Sequence, residues 1–271
     1  MPVFAKIVAS PIPPPRSGNS PPREIEGCKQ ERAVEYISHM PTDGLHQQGR
    51  LRSRPARPLA EGAPVGLQTL GSDGGPGGGY LYVPADYRPE KPAPLVLLLH
   101  GAGEDARDGL AQLRGQADEA GLILLALSSR GPTWDSILSR GRYGSDIVAI
   151  DRALEYAFSR CTVDPTRVAV AGYSDGASYA LSLGIANGDL FSDVLAFSPG
   201  FLALAGQRGS PRIFISHGTQ DRWLPIDSCS RKIVSQLERA GYEVRYHEFE
   251  GGHVVPPGIA REAAIWFTDR T

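Results

Sequence analysis

Short apolar runs alternate with segments of helical spacing from Pro94 to the end of the chain. The run PLVLLLH, Pro94–His100, is apolar up to its last residue, which is typical of a strand buried on both faces. In DIVAIDRALEYAFSR, 146–160, apolar residues recur three and four apart, as the buried face of a helix requires. This alternation predicts an α/β fold with a mostly parallel sheet and helices on both of its faces.

The predicted elements follow from the same two periodicities. Strands are predicted at Pro94–His100, Gly121–Ser129, Arg167–Gly172, Ser192–Pro199, Arg212–Gly218 and Glu243–Phe249. Helices are predicted at Asp105–Ala120, Asp146–Arg160, Ser174–Asn187, Ser228–Tyr242 and Ile259–Thr268. The glycine-rich stretch 71–80 predicts a hairpin turn between two further strands, near Gly66–Leu70 and Tyr80–Val83.

The first 62 of the 271 residues differ in composition from the rest of the chain. They contain ten of the 23 prolines and few large apolar side chains, apart from a possible short helix at Cys28–Met40. This composition predicts a disordered or loosely attached N-terminal tail over residues 1–62. Residues 63–271 are then predicted to form the folded α/β domain.

Charge and cysteine content limit which partners and which cellular location the sequence favours. The net charge is −2, and no basic cluster favours binding to nucleic acid or to an anionic membrane. Cys28, Cys161 and Cys229 are odd in number and widely spaced, so no disulfide framework or metal site is expected and a cytoplasmic location is favoured. No apolar stretch is long enough to predict a membrane span. The sequence carries no signal for an oligomeric state.

A serine stands where one predicted strand gives way to a helix of small residues. In VAVAGYSDGAS, 168–178, Gly172 and Gly176 flank Ser174 at the G-x-S-x-G spacing. A sharp strand-to-helix turn exposes such a serine hydroxyl, and larger side chains at the flanking positions would clash. The pattern predicts a nucleophile at Ser174. A glycine-rich turn with a capping serine is the alternative.

A serine nucleophile needs a base, and the base needs an acid to hold its tautomer. His253 follows the last predicted strand behind two glycines and is the candidate base, the alternative being a surface loop histidine. Asp221 follows the preceding strand and is the candidate acid. Its competitor, Asp227, is expected to cap the next helix instead. His217 is predicted to make a local, structural hydrogen bond.

The loop after the first long strand, LLLHGAG, offers donors for an oxyanion. Its two glycines allow close approach of the backbone to a ligand, so the N–H groups of Ala102 and Asp175 are the predicted pair. The Asp175 carboxylate is expected to point away, toward its helix start.

Three apolar residues are candidates for contact with substrate. Trp134 either lines the substrate pocket or packs beneath its loop, and the sequence favours neither alternative. Trp223 and Leu224, just after the candidate acid, are predicted to form the opposite wall.

Four stretches together resemble a known family. LLLHGAG, GYSDGAS, SHGTQDRWLPID and GGH are similar to those of the bacterial phospholipase/carboxylesterase-like serine esterases of the α/β-hydrolase fold, from about Leu67 to the C-terminus. The resemblance implies that Ser174 is the nucleophile, Asp221 the acid and His253 the base. Asp175 departs from the glutamine or methionine often found there.

These observations predict a serine hydrolase of small-molecule carboxylic esters that acts through an acyl-enzyme and needs no metal or cofactor. The stretch FLALAGQRGSP, 201–211, is too short for a large lid domain, so we expect an open site and short-acyl substrates. A thioesterase or a peptidase of the same fold is the first alternative. A non-catalytic binding module is the second.

Overall fold

One eight-stranded sheet organises the part of the chain that the computed structural model describes, residues 44–58, 62–70, 78–139, 141–203 and 206–269. Its strands are β1 (Gly66–Leu70), β2 (Gly79–Val83), β3 (Ala93–Leu99), β4 (Ile123–Leu127), β5 (Val163–Tyr173), β6 (Asp193–Phe197), β7 (Arg212–Gly218) and β8 (Val244–Phe249). The helices are α1 (Gly44–Gln47), α2 (Ala106–Ala111), α3 (Asp135–Leu138), α4 (Ser145–Arg160), α5 (Asp175–Ala186), α6 (Ser230–Arg239) and α7 (Pro257–Thr268).

The strand order is β1-β2-β4-β3-β5-β6-β7-β8. The pairs β1–β2 and β2–β4 are antiparallel, and every other neighbouring pair is parallel. The carboxyl ends of β3 to β8 therefore meet at one edge of the sheet, where loops from distant parts of the sequence can form a site.

Both faces of the sheet are covered by helices, as predicted. Along β3, Leu95, Leu97 and Leu99 pack on one side with α4, α5 and α6. Val96 and Leu98 pack on the other side with α2 and α7. All five leucine and valine side chains are fully buried, because successive residues of a strand point to opposite faces.

The predicted hairpin strands are confirmed as the antiparallel pair β1–β2, while residues 71–77 of the intervening turn lie outside the described residues. The helix predicted over 105–120 is shorter: α2 ends at Ala111, and a 3₁₀ turn follows at Arg114–Gln116. Gly109 and Gly115 lower the helix propensity of that stretch. No described helix has the length and apolarity that crossing a bilayer requires.

The N-terminal segment from Gly44 to Arg54 packs on the rest of the molecule. His46 Nε2 lies 2.9 Å from Asp151 Oδ2, and the same carboxylate accepts the backbone N–H of Ser53. Leu51 is 2% exposed, and its N–H donates to the Asn187 side chain at 2.8 Å. The expected tail over residues 1–62 is therefore wrong for this segment, whereas residues 1–43 lie outside the described residues.

Arginines of the same segment make ion pairs with the body of the protein. Arg50 contacts both carboxylate oxygens of Asp189, at 2.9 and 2.8 Å, and Arg54 contacts one of them at 2.7 Å. These pairs are partly solvent-exposed, so each contributes little alone. The buried carboxylate of Asp151 and the buried amide of Asn187 depend more strongly on this segment.

Removal of residues 1–58 is expected to lower Tm by about 5 °C or more, since Asp151 and Asn187 would lose buried hydrogen-bond partners. Removal of residues 1–43 is the matched control, because it keeps all of these contacts. Differential scanning calorimetry of both truncations makes the comparison. Equal Tm values would show that the segment does not stabilise the domain.

Candidate active site

The turn between β5 and α5 holds Ser174 in a strained backbone conformation. Its φ of 56° and ψ of −119° fall where non-glycine residues are uncommon, at a cost of about 1–3 kcal/mol. A methyl group on Gly172 would overlap the carbonyl oxygen of Gly176, and one on Gly176 would overlap that of Leu99. Only glycine fits at either position, so the spacing seen in the sequence is a packing requirement of this turn.

His253, in the loop after β8, contacts Ser174. Its Nε2 lies 2.8 Å from Ser174 Oγ, and its Nδ1 lies 2.5 Å from Asp221 Oδ2. Asp221 accepts a hydrogen bond from Nδ1–H, so Nε2 carries no proton and can accept that of the serine hydroxyl. The three side chains form one continuous hydrogen-bonded chain from the turn after β5 to the loops after β7 and β8.

Tyr173 supports the imidazole from the residue before the serine. Its hydroxyl donates to the carbonyl oxygen of His253 at 2.7 Å, and the two ring centroids are 4.8 Å apart. Burial raises the pKa of Tyr173 to about 12, so it stays a neutral donor. This contact could not be predicted from the sequence, because the residue before the serine in G-x-S-x-G carries no signal of the partner that the tertiary structure provides.

The carboxylate of Asp221 is fully buried and well supplied with donors. Its Oδ1 accepts the backbone N–H groups of Trp223 and Leu224, each at 2.9 Å. Burial acts to raise the pKa of Asp221, but these N–H groups and His253 outweigh burial and hold the pKa below its ordinary value. The group is therefore held as a carboxylate beside His253.

The competing acid, Asp227, lies away from His253. Its side chain is exposed and pairs with Arg231 at 2.6 Å. The expected helix cap is wrong, because α6 begins at Ser230 and its cap position is Cys229, with no side-chain cap bond. An i,i+4 ion pair takes the place of the cap.

The backbone N–H groups of Ala102, in the loop after β3, and of Asp175, directly after Ser174, have no acceptor among the described residues. The neighbours of Ala102 are both engaged: the Gly101 N–H donates to Glu104 Oε2 at 2.8 Å and the Gly103 N–H donates to the Pro132 carbonyl at 2.7 Å. Asp175 is the first residue of α5, so its N–H has no partner within the helix.

Residues 129–134 form hydrogen bonds with the loop after β3 and with the start of α5, which carry the N–H groups of Ala102 and Asp175. Ser129 donates its N–H to His100 Nε2 at 2.9 Å, and the Trp134 indole donates to the His100 carbonyl at 2.9 Å. Thr133 Oγ1 donates to Asp175 Oδ2 at 2.8 Å, which turns that carboxylate toward the segment. Residues 129–134 thus tie the loop after β3 to the start of α5.

The three predicted substrate contacts differ in placement. Trp134 is 1% exposed and packs against His100 and Tyr179, so it packs beneath its loop rather than lining the surface. Trp223 is 83% exposed beside the acid. Leu224 is partly buried, and its backbone holds Asp221.

The sheet order and the serine turn after β5 define an α/β-hydrolase fold, and solved structures of that class align with the chain, so the fold predicted from the sequence is confirmed. No family model matches the chain, and no curated protein matches it in sequence.

Three solved structures illustrate the likeness. Esterase PE8 aligns with a TM-score of 0.56 and 22% identity over 75% of this chain and 98% of that one. S-formylglutathione hydrolase from Staphylococcus aureus aligns with a TM-score of 0.60 and 17% identity over 78% and 99%. The Bacillus cereus carboxylesterase aligns with a TM-score of 0.53 and 22% identity over 74% and 93%. At these identities the likeness establishes the fold.

Proposed function

We propose that the protein is a serine hydrolase that cleaves carboxylic esters through an acyl-enzyme intermediate. The observation that carries the proposal is the continuous contact from Ser174 Oγ through His253 to Asp221, at 2.8 and 2.5 Å. The N–H groups of Ala102 and Asp175, which have no acceptor in the described part of the chain, support it.

The chemistry follows from these atoms. Nε2 of His253 takes the hydroxyl proton of Ser174 as the serine attacks the ester carbonyl carbon. The N–H groups of Ala102 and Asp175 stabilise the tetrahedral oxyanion. The protonated imidazole, stabilised by Asp221, gives its proton to the departing alcohol, and water then releases the acid by the same steps. His253 carries the proton in each of these reaction steps.

The brace through Thr133 gives this oxyanion role a test of its own. Thr133→Val removes the hydroxyl that holds Asp175 and is expected to lower kcat roughly 5-fold, the equivalent of one hydrogen bond of about 1 kcal/mol. Thr133→Ser keeps the hydroxyl and is the matched control. Steady-state kinetics with p-nitrophenyl acetate compares the two. Equal kcat values would remove Thr133 from the positioning of Asp175.

We also propose that the site takes small or short-acyl esters. Among the described residues between β6 and β7, 198–203 and 206–211, there is no helix that could cover the serine. Trp223 and Val254, which follow the acid and the base, are 83% and 51% exposed and offer an apolar surface at the rim. The site is accessible to water, and these exposed side chains can contact the apolar part of a small ester bound there.

A series of p-nitrophenyl esters from acetate to laurate tests the substrate class. kcat/KM is expected to be highest for the short acyl groups and to show no jump when a substrate passes its solubility limit. A sharp rise on emulsified long-chain esters would contradict the short-acyl proposal.

A fluorophosphonate probe separates the catalytic proposal from a binding module of the same fold. The wild-type protein is expected to label at Ser174, because the imidazole of His253 activates that hydroxyl. Parallel assays with thioester and peptide substrates distinguish the two alternative hydrolase activities from ester cleavage. Failure to label would overturn the proposed function as a whole.

We propose a cytoplasmic location as well. Cys161 and Cys229 are both buried and free, and burial raises the pKa of Cys161 to about 11, so its thiol is unreactive. Unpaired cysteines favour a reducing compartment.

A further inference from the structure

A second imidazole touches the buried acid. His217, near the end of β7, is 0% exposed, and its Nε2 lies 3.1 Å from Asp221 Oδ2, the same oxygen that contacts His253. The same Nε2 lies closer, at 2.8 Å, to the carbonyl oxygen of Leu224. His217 therefore contacts both ends of the turn 221–224, whose own N–H groups hold the other oxygen of the acid.

The protonation of His217 follows from its partners. Nε2 stands between two acceptors, so it carries the proton and donates. Nδ1 lies 2.6 Å from Ser230 Oγ at the start of α6, and in the neutral ring it accepts a hydrogen bond from the Ser230 hydroxyl. Burial lowers the pKa of His217, so the ring is held neutral. A neutral donor can orient a carboxylate without cancelling its charge.

We infer that His217 is a positioning residue: its Nε2–H donates to the Leu224 carbonyl and lies in contact with Asp221 Oδ2, and the ring thereby fixes the plane of the Asp221 carboxylate so that Oδ2 faces His253. The two N–H groups of Trp223 and Leu224 hold only Oδ1, about which the carboxylate could still pivot. His217 supplies the second point of attachment, and Ser230 holds the imidazole from behind. The inference rests on the proposed function for its kinetic consequence but not for its geometry.

The test compares His217→Leu with His217→Gln, whose side-chain amide can still donate toward Asp221. In a Ser174→Ala background, the short contact between His253 Nδ1 and Asp221 predicts a far-downfield proton resonance by NMR. That signal is expected to move upfield or broaden away in His217→Leu and to persist in His217→Gln. In the active background, kcat for p-nitrophenyl acetate is expected to fall roughly 10-fold for leucine and about 3-fold or less for glutamine, with KM little changed.

Two further variants keep the test decisive. His247→Gln, on a half-buried imidazole of β8 that pairs with Glu262, is the control and should change neither readout. If His217→Leu does not fold, Ser230→Ala removes only the hydroxyl behind Nδ1 and should weaken the resonance in the same direction. A folded leucine variant that keeps the resonance and kcat would overturn the inference, as would equal losses for leucine and glutamine.

The NMR readout needs no turnover. Absence of esterase activity in the wild type, with the resonance responding as expected, would therefore refute the proposed function and leave the positioning role of His217 intact.

Discussion

Ser174→Ala is expected to reduce the rate of p-nitrophenyl ester hydrolysis by roughly 10³-fold or more while leaving the protein folded. The alanine keeps the Cβ that the strained turn already accommodates and removes only the hydroxyl that contacts His253 Nε2. The residual rate would come from binding and from the two backbone N–H groups. Steady-state kinetics and Tm of the purified variant measure both parts of this expectation.

Ser159→Ala is the matched control for that substitution. Its hydroxyl is bonded to the carbonyl oxygen of Tyr156 on the exposed side of α4, well away from the sheet edge that carries the site. Fluorophosphonate labelling should be lost in Ser174→Ala and kept in Ser159→Ala. Near-normal turnover of Ser174→Ala would show that another group is the nucleophile.

Asp221→Asn is expected to lower kcat by about 10³- to 10⁴-fold, and Asp227→Asn to leave it within about 2-fold. An asparagine amide at 221 can present N–H where His253 Nδ1 now finds an acceptor, which favours the tautomer in which Nε2 carries a proton. That imidazole cannot accept the proton of Ser174. At 227, the exposed carboxylate pairs only with surface Arg231 among the described residues.

Both substitutions replace a carboxylate by an amide, at positions six residues apart. A difference in kcat between the two variants therefore depends only on where the carboxylate lies. Circular dichroism and Tm verify that both remain folded before their kcat values are compared. Loss of activity at 227 with activity kept at 221 would mean that the base takes its acid from the other carboxylate.

Much of the site could be predicted because each residue follows a recognisable strand. In a parallel sheet the carboxyl ends share one edge, so Ser174, Asp221 and His253 were expected to meet, and the structure brings them together. Their catalytic roles stay predictions. The contacts of Thr133 with Asp175 and of His217 with Asp221 could not be predicted in this way, because they depend on how loops of different strands pack.

The N-terminal boundary was misplaced for a different reason. Composition averaged over 62 residues is dominated by proline and hides the short stretch from His46 to Arg54. Within it, a buried leucine, Leu51, and backbone N–H groups directed at Asp151 are enough to dock the chain. Such docking depends on single buried partners, which average composition does not register.

The connection from Phe197 to Arg212 divides the chain into two chemically incomplete halves. The serine and the N–H groups of Ala102 and Asp175 precede it, whereas the acid, the base and His217 follow it. Residues 206–210 of the connection are exposed, and the Arg208 N–H donates to the carbonyl oxygen of Ile185 at 3.0 Å, so a cut between residues 206 and 207 leaves that contact in place. Neither fragment alone contains the serine, the histidine and the aspartate together. Ester hydrolysis by two co-expressed fragments would therefore show that β6 and β7 have paired again. The two fragments could therefore serve as a complementation sensor. With each fragment fused to one of two proteins, the rate of ester hydrolysis would measure the association of those proteins.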